Sequence, residues 1–133
     1  MNTNRHDGNT FETDLCWFFH QHGYWAHNIA QVRSGQPADI LIAKNGTAYL
    51  IDAKNCKGDS FSLSRIEENQ EQAMQLWTQC GNGQAWFAIR MSGEIWMVPF
   101  SAFLRCTQKS VSARWMKKNA VRLDEWIERE EIT

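Results

Sequence analysis

The dipeptide Asn45-Gly46 constrains this chain more than any other pair of residues. Both residue types tolerate positive φ, as the tight two-residue turn of a β-hairpin requires, and short apolar runs flank them on either side. A two-residue turn fixes the register of the whole stretch from Pro37 to Lys54. Lys44 then pairs with Thr47, Ala43 with Ala48, Leu41 with Leu50, and Asp39 faces Asp52. Facing Cβ atoms lie roughly 4.5–5.5 Å apart, and like charges there destabilise a sheet. The best hairpin in the sequence therefore contains a repulsion.

Side chains alternate along a strand, so Lys54 projects from the same face as Asp52. Two carboxylates and an amine on one face suggest a reason for the repulsion, since an oxygen-rich site of this kind suits a hard divalent cation such as Mg²⁺. Such an ion lowers the pKa of its water and polarises a phosphoryl oxygen, and Lys54 beside it can orient the water or stabilise charge on the phosphate. The plainer alternative is a surface salt bridge between Lys54 and an acid.

The 133 residues suffice for one domain with its own core. No apolar run approaches the length of a membrane span, and the first ten residues carry neither an h-region nor a basic n-region, so a cytoplasmic protein without a membrane partner is expected. Cys16, Cys56, Cys80 and Cys106 form no Cys-x-x-Cys pair, which argues against a zinc knuckle or a redox motif. A net charge of −1 gives no global attraction to nucleic acid. The distribution differs from the sum. Arg105, Lys109, Arg114, Lys117, Lys118 and Arg122 fall in a stretch without acids, and the acidic residues that offset them follow from Asp124 onward.

Residues 1–9 read as a flexible lead, and 10–133 as a single domain. Asn9 or Thr10 can cap a helix from about Phe11 to His22, and Tyr24 to Val32 reads as a strand. After the hairpin, Ser64-x-x-Glu67 has the form of a capping box opening a helix to about Cys80, with Ile66, Ala73, Leu76, Trp77 and Cys80 inward. Ala85–Met91 and Glu94–Val98 form a second hairpin turned at Ser92-Gly93. Short helices over Ser101–Arg105, Ser112–Asn119 and Leu123–Glu131 complete the chain, the last anchored by Trp126. The order is αβββαββ plus C-terminal helices, an α/β fold with a mixed sheet of about five strands. Glu12 and Gln70 point from the two longer helices toward the acidic face. A capping role for Glu12 and a backbone-bonded Gln70 are the simpler alternatives.

Pro37-Ala38-Asp39 followed by Asp52-Ala53-Lys54 resembles the signature of the PD-(D/E)xK nucleases, whose restriction-endonuclease-like core has this element order. DAKNCKGDSFSLSRIEENQEQ and KSVSARWMKKNAVRL further resemble stretches of RecU-type Holliday junction resolvases, so the likeness runs from about Phe11 to Leu123. It implies metal ligation by Asp39, Asp52, the Ala53 carbonyl and Glu12, and catalytic roles for Lys54, Glu12 and Gln70. Asp52 stands where RecU-type enzymes usually carry Glu, and Asn69 where a His often precedes the Gln. No counterpart of the RecU stalk is evident.

The resulting expectation is a Mg²⁺-dependent endonuclease, with Mn²⁺ as a possible substitute, that acts as a homodimer on branched DNA. DNA contacts are expected from Arg33, Ser34, Lys57, Arg65, Lys109, Arg114, Lys117 and Lys118. Two alternatives stand beside it: a general or nicking nuclease of a phage, mobile element or restriction system, and a non-catalytic DNA-binding module that keeps the fold.

Overall fold

The computed structural model describes residues 3–29 and 38–132. Helix α1 (Thr3–Gln21) leads into strand β1 (Trp25–Asn28), followed by β2 (Ile40–Lys44) and β3 (Thr47–Asn55). Next come β4 (Ser60–Ser62), a single 3₁₀ turn (Leu63–Arg65), α2 (Glu68–Gln79), β5 (Trp86–Met91) and β6 (Glu94–Pro99). The chain closes with α3 (Phe100–Arg105), β7 (Ser110–Ser112), α4 (Ala113–Asn119), β8 (Val121–Arg122) and α5 (Leu123–Ile132). The main sheet has six strands in the order β1-β2-β3-β5-β6-β8, and β4 pairs with β7 in a separate two-stranded ladder.

Both predicted hairpins form through the predicted turns. Asn45 and Gly46 take φ of 52° and 81°, Ser92 and Gly93 take 51° and 79°, and this positive pair matches the twist of the flanking strands. The first turn sets the expected register, from Lys44 with Thr47 to Ile40 with Ile51. Strand β5 then lies parallel to β3, with Asp52 beside Phe87 and Lys54 beside Ile89, so the sheet is mixed. That parallel neighbour requires the crossover through α2.

Alternation divides the core into two layers. On one face Leu50, Phe87, Ile89 and Val98 pack with Met74 of α2, Phe61, Phe103 and Met116. On the other, Ile40, Ile42, Ile51 and Met97 pack with Phe11, Leu15 and Phe19 of α1 and with Leu123, Trp126 and Ile127 of α5. The Trp126 ring sits at the centre of an aromatic cluster, its centroid 6.0 Å from Phe19, 5.1 Å from Tyr49 and 5.7 Å from Trp86. Tyr49 also donates a 2.7 Å hydrogen bond to Glu130, tying α5 to the hairpin.

Several boundaries differ from expectation. Helix α1 begins at Thr3, so residues 3–9 belong to its first turns and Asn9 and Thr10 lie inside it; their polarity hides those turns from any periodicity argument. The box at Ser64 does not form. Ser64 Oγ bonds Ser62 Oγ at 2.8 Å within the 3₁₀ turn, and α2 starts one turn later with Glu67 as its N-cap. The inward face of α2 carries Gln70, as expected, together with Met74, while Leu76 is 60 % exposed and Cys80 exposed. The sheet gains β8 at its edge beyond the five or so strands expected, and β4 and β7 are further strands of two apolar-centred triplets. The Tyr24–Val32 strand is seen as Trp25–Asn28, and its expected continuation beyond Ile29 lies outside the described residues.

Trp126 is 1 % exposed, and its indole N–H is buried without a hydrogen-bond partner. Trp126→Ala should therefore lower unfolding free energy by about 3–5 kcal/mol. Trp126→Phe, which keeps a ring and removes the unpaired donor, should lose much less, and denaturant titrations of both variants measure the difference.

Candidate active site

Asp39 lies one residue before β2, and the ladder carried one step past Ile40 and Ile51 sets it beside Asp52. Its N–H donates to the Ile51 carbonyl at 3.2 Å, and its Oδ2 accepts from the Ala53 N–H at 2.8 Å. The backbone of β3 thus holds the facing carboxylate in place. Asp39 is 5 % exposed and Asp52 0 %, an arrangement that places two acids in the sheet interior.

The compensating groups come from three elements. Lys54 Nζ lies 3.1 Å from Asp52 Oδ2, on a side chain only 12 % exposed. Gln70 of α2, 5 % exposed, donates from Nε2 to Asp52 Oδ1 at 3.1 Å, and its Oε1 accepts from Lys54 Nζ at 3.1 Å. The same Oε1 accepts the Glu67 N–H at 3.1 Å, so one amide both caps α2 and orients the acid and the amine. Glu12 reaches in from α1 on the other side of the sheet and hydrogen-bonds Asp39.

Burial, the charge of Asp39 and that hydrogen bond push the Glu12 carboxyl up to about 7, against a smaller opposing pull from Lys54. Asp52 is pushed well above the usual carboxylate range, first by burial and then by Asp39, with Lys54 acting in the other direction. Among the described residues no three His, Cys, Asp and Glu side chains stand as a ready-made metal cage. The donor set here is two carboxylates with backbone oxygen beside them, and Asp52 Oδ2 is buried without a well-formed hydrogen bond despite the nearby amine. A buried carboxylate oxygen approached by the Lys54 ammonium, beside a second acid, fits a hard cation.

The expected DNA-contacting residues divide. Lys57 is exposed in the loop after β3, and Arg65 donates to the Asn55 carbonyl at 3.2 Å. The β4–β7 ladder joins Ser60 to Ser112 and Ser62 to Ser110, which draws Lys109 and the start of α4 to the same side as Arg65. Arg114, Lys117 and Lys118 are exposed on α4 at a spacing that shares one helix face. Arg33 and Ser34 lie outside the described residues. Two residues near the strand end went unremarked in the sequence, Asn55 and Arg90, paired by a 3.0 Å hydrogen bond from Arg90 Nε. The signal was an arginine inside the apolar strand WFAIRM. A cavity of about 500 Å³ lined by Tyr24, Lys44, Tyr49 and Glu130 lies at the hairpin tip, apart from these carboxylates.

Because Glu12 binds its proton more tightly folded than unfolded, the stability it lends is full below its ordinary value of 4.5 and is lost as pH rises through about 7, and Asp52, raised as well, acts in the same direction. With a chelator present, the melting temperature should fall between about pH 5 and about pH 8. Asp52→Asn should flatten that fall, and a parent protein with a pH-independent melting temperature would contradict the electrostatic account.

The family described as archaeal Holliday junction resolvase (Hjc) matches residues 3–133. The structure of Hjc from Archaeoglobus fulgidus, a Holliday junction resolvase from an archaeal hyperthermophile, aligns with a TM-score of 0.72 at 18 % identity, covering 90 % of this chain and 99 % of that one. At that identity the alignment speaks to the fold, and it has the same mixed sheet flanked by helices. No curated protein matches. Among the described residues no helix is long and apolar enough to cross a membrane. The superfamily and resolvase class suggested by the motif residues both stand, and the nicking-nuclease and non-catalytic alternatives give way to them. With two facing aspartates, a lysine and a glutamine gathered on the sheet and this family match across the chain, the protein belongs to the Hjc family of Holliday junction resolvases, metal-dependent nucleases that hydrolyse phosphodiester bonds in branched DNA.

Proposed function

We propose that Asp39, Asp52 and the Ala53 carbonyl hold the divalent ion, and that Lys54, Glu12 and Gln70 serve the cleavage step. The observation that carries this reading is the chain of contacts from Glu12 through Asp39 and Asp52 to Lys54 and Gln70. An all-oxygen donor set favours Mg²⁺, with Mn²⁺ as a substitute. When bound, the ion supplies a more acidic water and a polarised phosphoryl oxygen.

The side chains do the rest. Gln70 fixes Asp52 through Oδ1, which leaves Oδ2 turned toward Lys54 and the ion site. Lys54 has three N–H donors, of which Gln70 takes one, so its ammonium can orient the attacking water or neutralise charge gathering on the phosphate. Glu12, with its carboxyl near 7, can hold or release a proton at neutral pH beside Asp39. Two symmetric cuts across a junction need two sites, which favours a homodimer; sedimentation at assay concentration tests it. We place this work in the cytoplasm, and assign the DNA backbone to Arg33, Ser34, Lys57, Arg65, Lys109, Arg114, Lys117 and Lys118.

In Mg²⁺, a four-way junction should be cut much faster than a linear duplex of the same strands, and equal rates would sink the preference for branched DNA. Lys54→Ala should bind the junction as the parent does and cut it roughly 10²–10³-fold more slowly. An equally active Lys54→Ala protein would refute the role given to the lysine.

Binding should weaken steeply with salt, by about 0.9 in the logarithmic slope for each phosphate contacted. Replacing Lys117 and Lys118 with Ala should make that slope shallower while leaving the melting temperature unchanged, because both side chains are exposed. An unaltered slope would remove α4 from the DNA surface.

A further inference from the structure

Arg90 interrupts the apolar run of β5, and little around it uses its charge. Its Nε donates to Asn55 Oδ1 at 3.0 Å, and its guanidinium lies 4.5 Å from the centroid of the Phe11 ring. A guanidinium carries five N–H donors, and this contact occupies one of them. The donors on the two Nη atoms have no partner among the described residues, and no described carboxylate pairs with the charge. The side chain is nevertheless half-buried. The Nη atoms are not among the fully buried unpartnered groups, so they remain open to an incoming anion, which a guanidinium can bind with two parallel hydrogen bonds.

The backbone says where that anion would lie. Arg90 sits opposite Asn55, one pair beyond Lys54 and Ile89, at the ends of the same two parallel strands. The Cys56 N–H donates to the Arg90 carbonyl at 2.8 Å, which fixes the strand end. Alternation turns Arg90 to the α1 face, where Phe11 immediately precedes Glu12. The guanidinium therefore stands beside the α1 turn that carries Phe11 and Glu12, one residue pair beyond Lys54 and on the opposite sheet face from the Lys54 side chain. Arg65 donates to the Asn55 carbonyl from elsewhere in the fold, so two arginines bracket this one residue.

We propose that Arg90 clamps a DNA backbone phosphate next to the scissile one, with Asn55 and Phe11 holding the guanidinium plane so that its Nη edge faces the strand. Two parallel N–H···O bonds from that edge match the geometry of a phosphate, which lysine cannot reproduce. Fixing this neighbour sets the position of the scissile phosphate over the two aspartates. The inference rests on the cleavage site proposed above, and its test is built to fail separately from that reading.

The experiment compares Arg90→Met, Arg90→Lys and Asn55→Ala with the parent and with Lys54→Ala, measuring melting temperature, junction affinity across a salt series, and single-turnover cleavage at saturating DNA. Arg90→Met keeps the apolar stem over Phe11 and should melt as the parent does, bind about tenfold more weakly and reduce the salt slope by about one. Arg90→Lys should restore the slope but not the full affinity or rate. Asn55→Ala keeps the charge, so it should retain the slope and slow saturated cleavage. Parent-like affinity and slope in Arg90→Met would overturn the proposal, as would full rescue of affinity and rate by Arg90→Lys. Undiminished cutting by Lys54→Ala would instead overturn the site assignment, leaving the binding measurements to decide Arg90 alone.

Discussion

A carboxylate placed in the interior of a sheet opposite another carboxylate has to be held there by its surroundings. Asp52 has no access to solvent, and Asp39 is nearly as enclosed. Burial of one such charge costs several kcal/mol unless it is paired and hydrogen-bonded. The neighbours meet that demand in part: the Gln70 amide takes one oxygen of Asp52, Lys54 stands 3.1 Å from the other, and the Ala53 N–H takes one oxygen of Asp39. The remaining imbalance appears in the raised carboxyl groups of Asp52 and Glu12. The positions of α1, α2 and the crossover all serve to bring these partners to one place, and the apolar layers on either face keep them there.

This division of labour explains why a small domain invests in so many aromatic contacts far from the chemistry. The cluster around Trp126 binds α1, α5 and the hairpin into one layer, so that the central turn of α1 carrying Phe11 and Glu12 is fixed relative to β3. The opposite layer does the same for α2 through Met74. A carboxylate displaced by about an ångström loses much of its effect on a reacting group, so rigidity in these layers is a requirement of the site.

The parts of the site governed by local rules were legible in the sequence. A two-residue turn fixes register outright, so Asn45-Gly46 alone located Leu41 against Leu50 and the two aspartates together, and alternation added Lys54. Helical spacing sufficed for Glu12 and Gln70. Features that depend on tertiary pairing were not legible. Ser60-Phe61-Ser62 and Ser110-Val111-Ser112 are strands only because they find each other, and three residues carry too little pattern to announce that. The start of α2 was misplaced because Ser64 offered an adequate cap and the competing 3₁₀ turn left no trace in composition. Arg90 passed unnoticed because strand position alone does not reveal which donors a neighbour will satisfy.

The parallel pairing of β3 with β5 carries a consequence for the order of folding. The hairpin that brings the aspartates together is local and can form within microseconds, whereas Gln70 reaches Asp52 only after the longer crossover through α2 has closed. For that interval the nascent sheet contains the repulsion without its amide partner, and β3 has an open edge where β5 will dock. Folding of this chain is thus slowed at the same strand where its chemistry is concentrated, and any factor that neutralises the paired acids early, whether a proton or a cation, acts on the folding route as well as on the finished site.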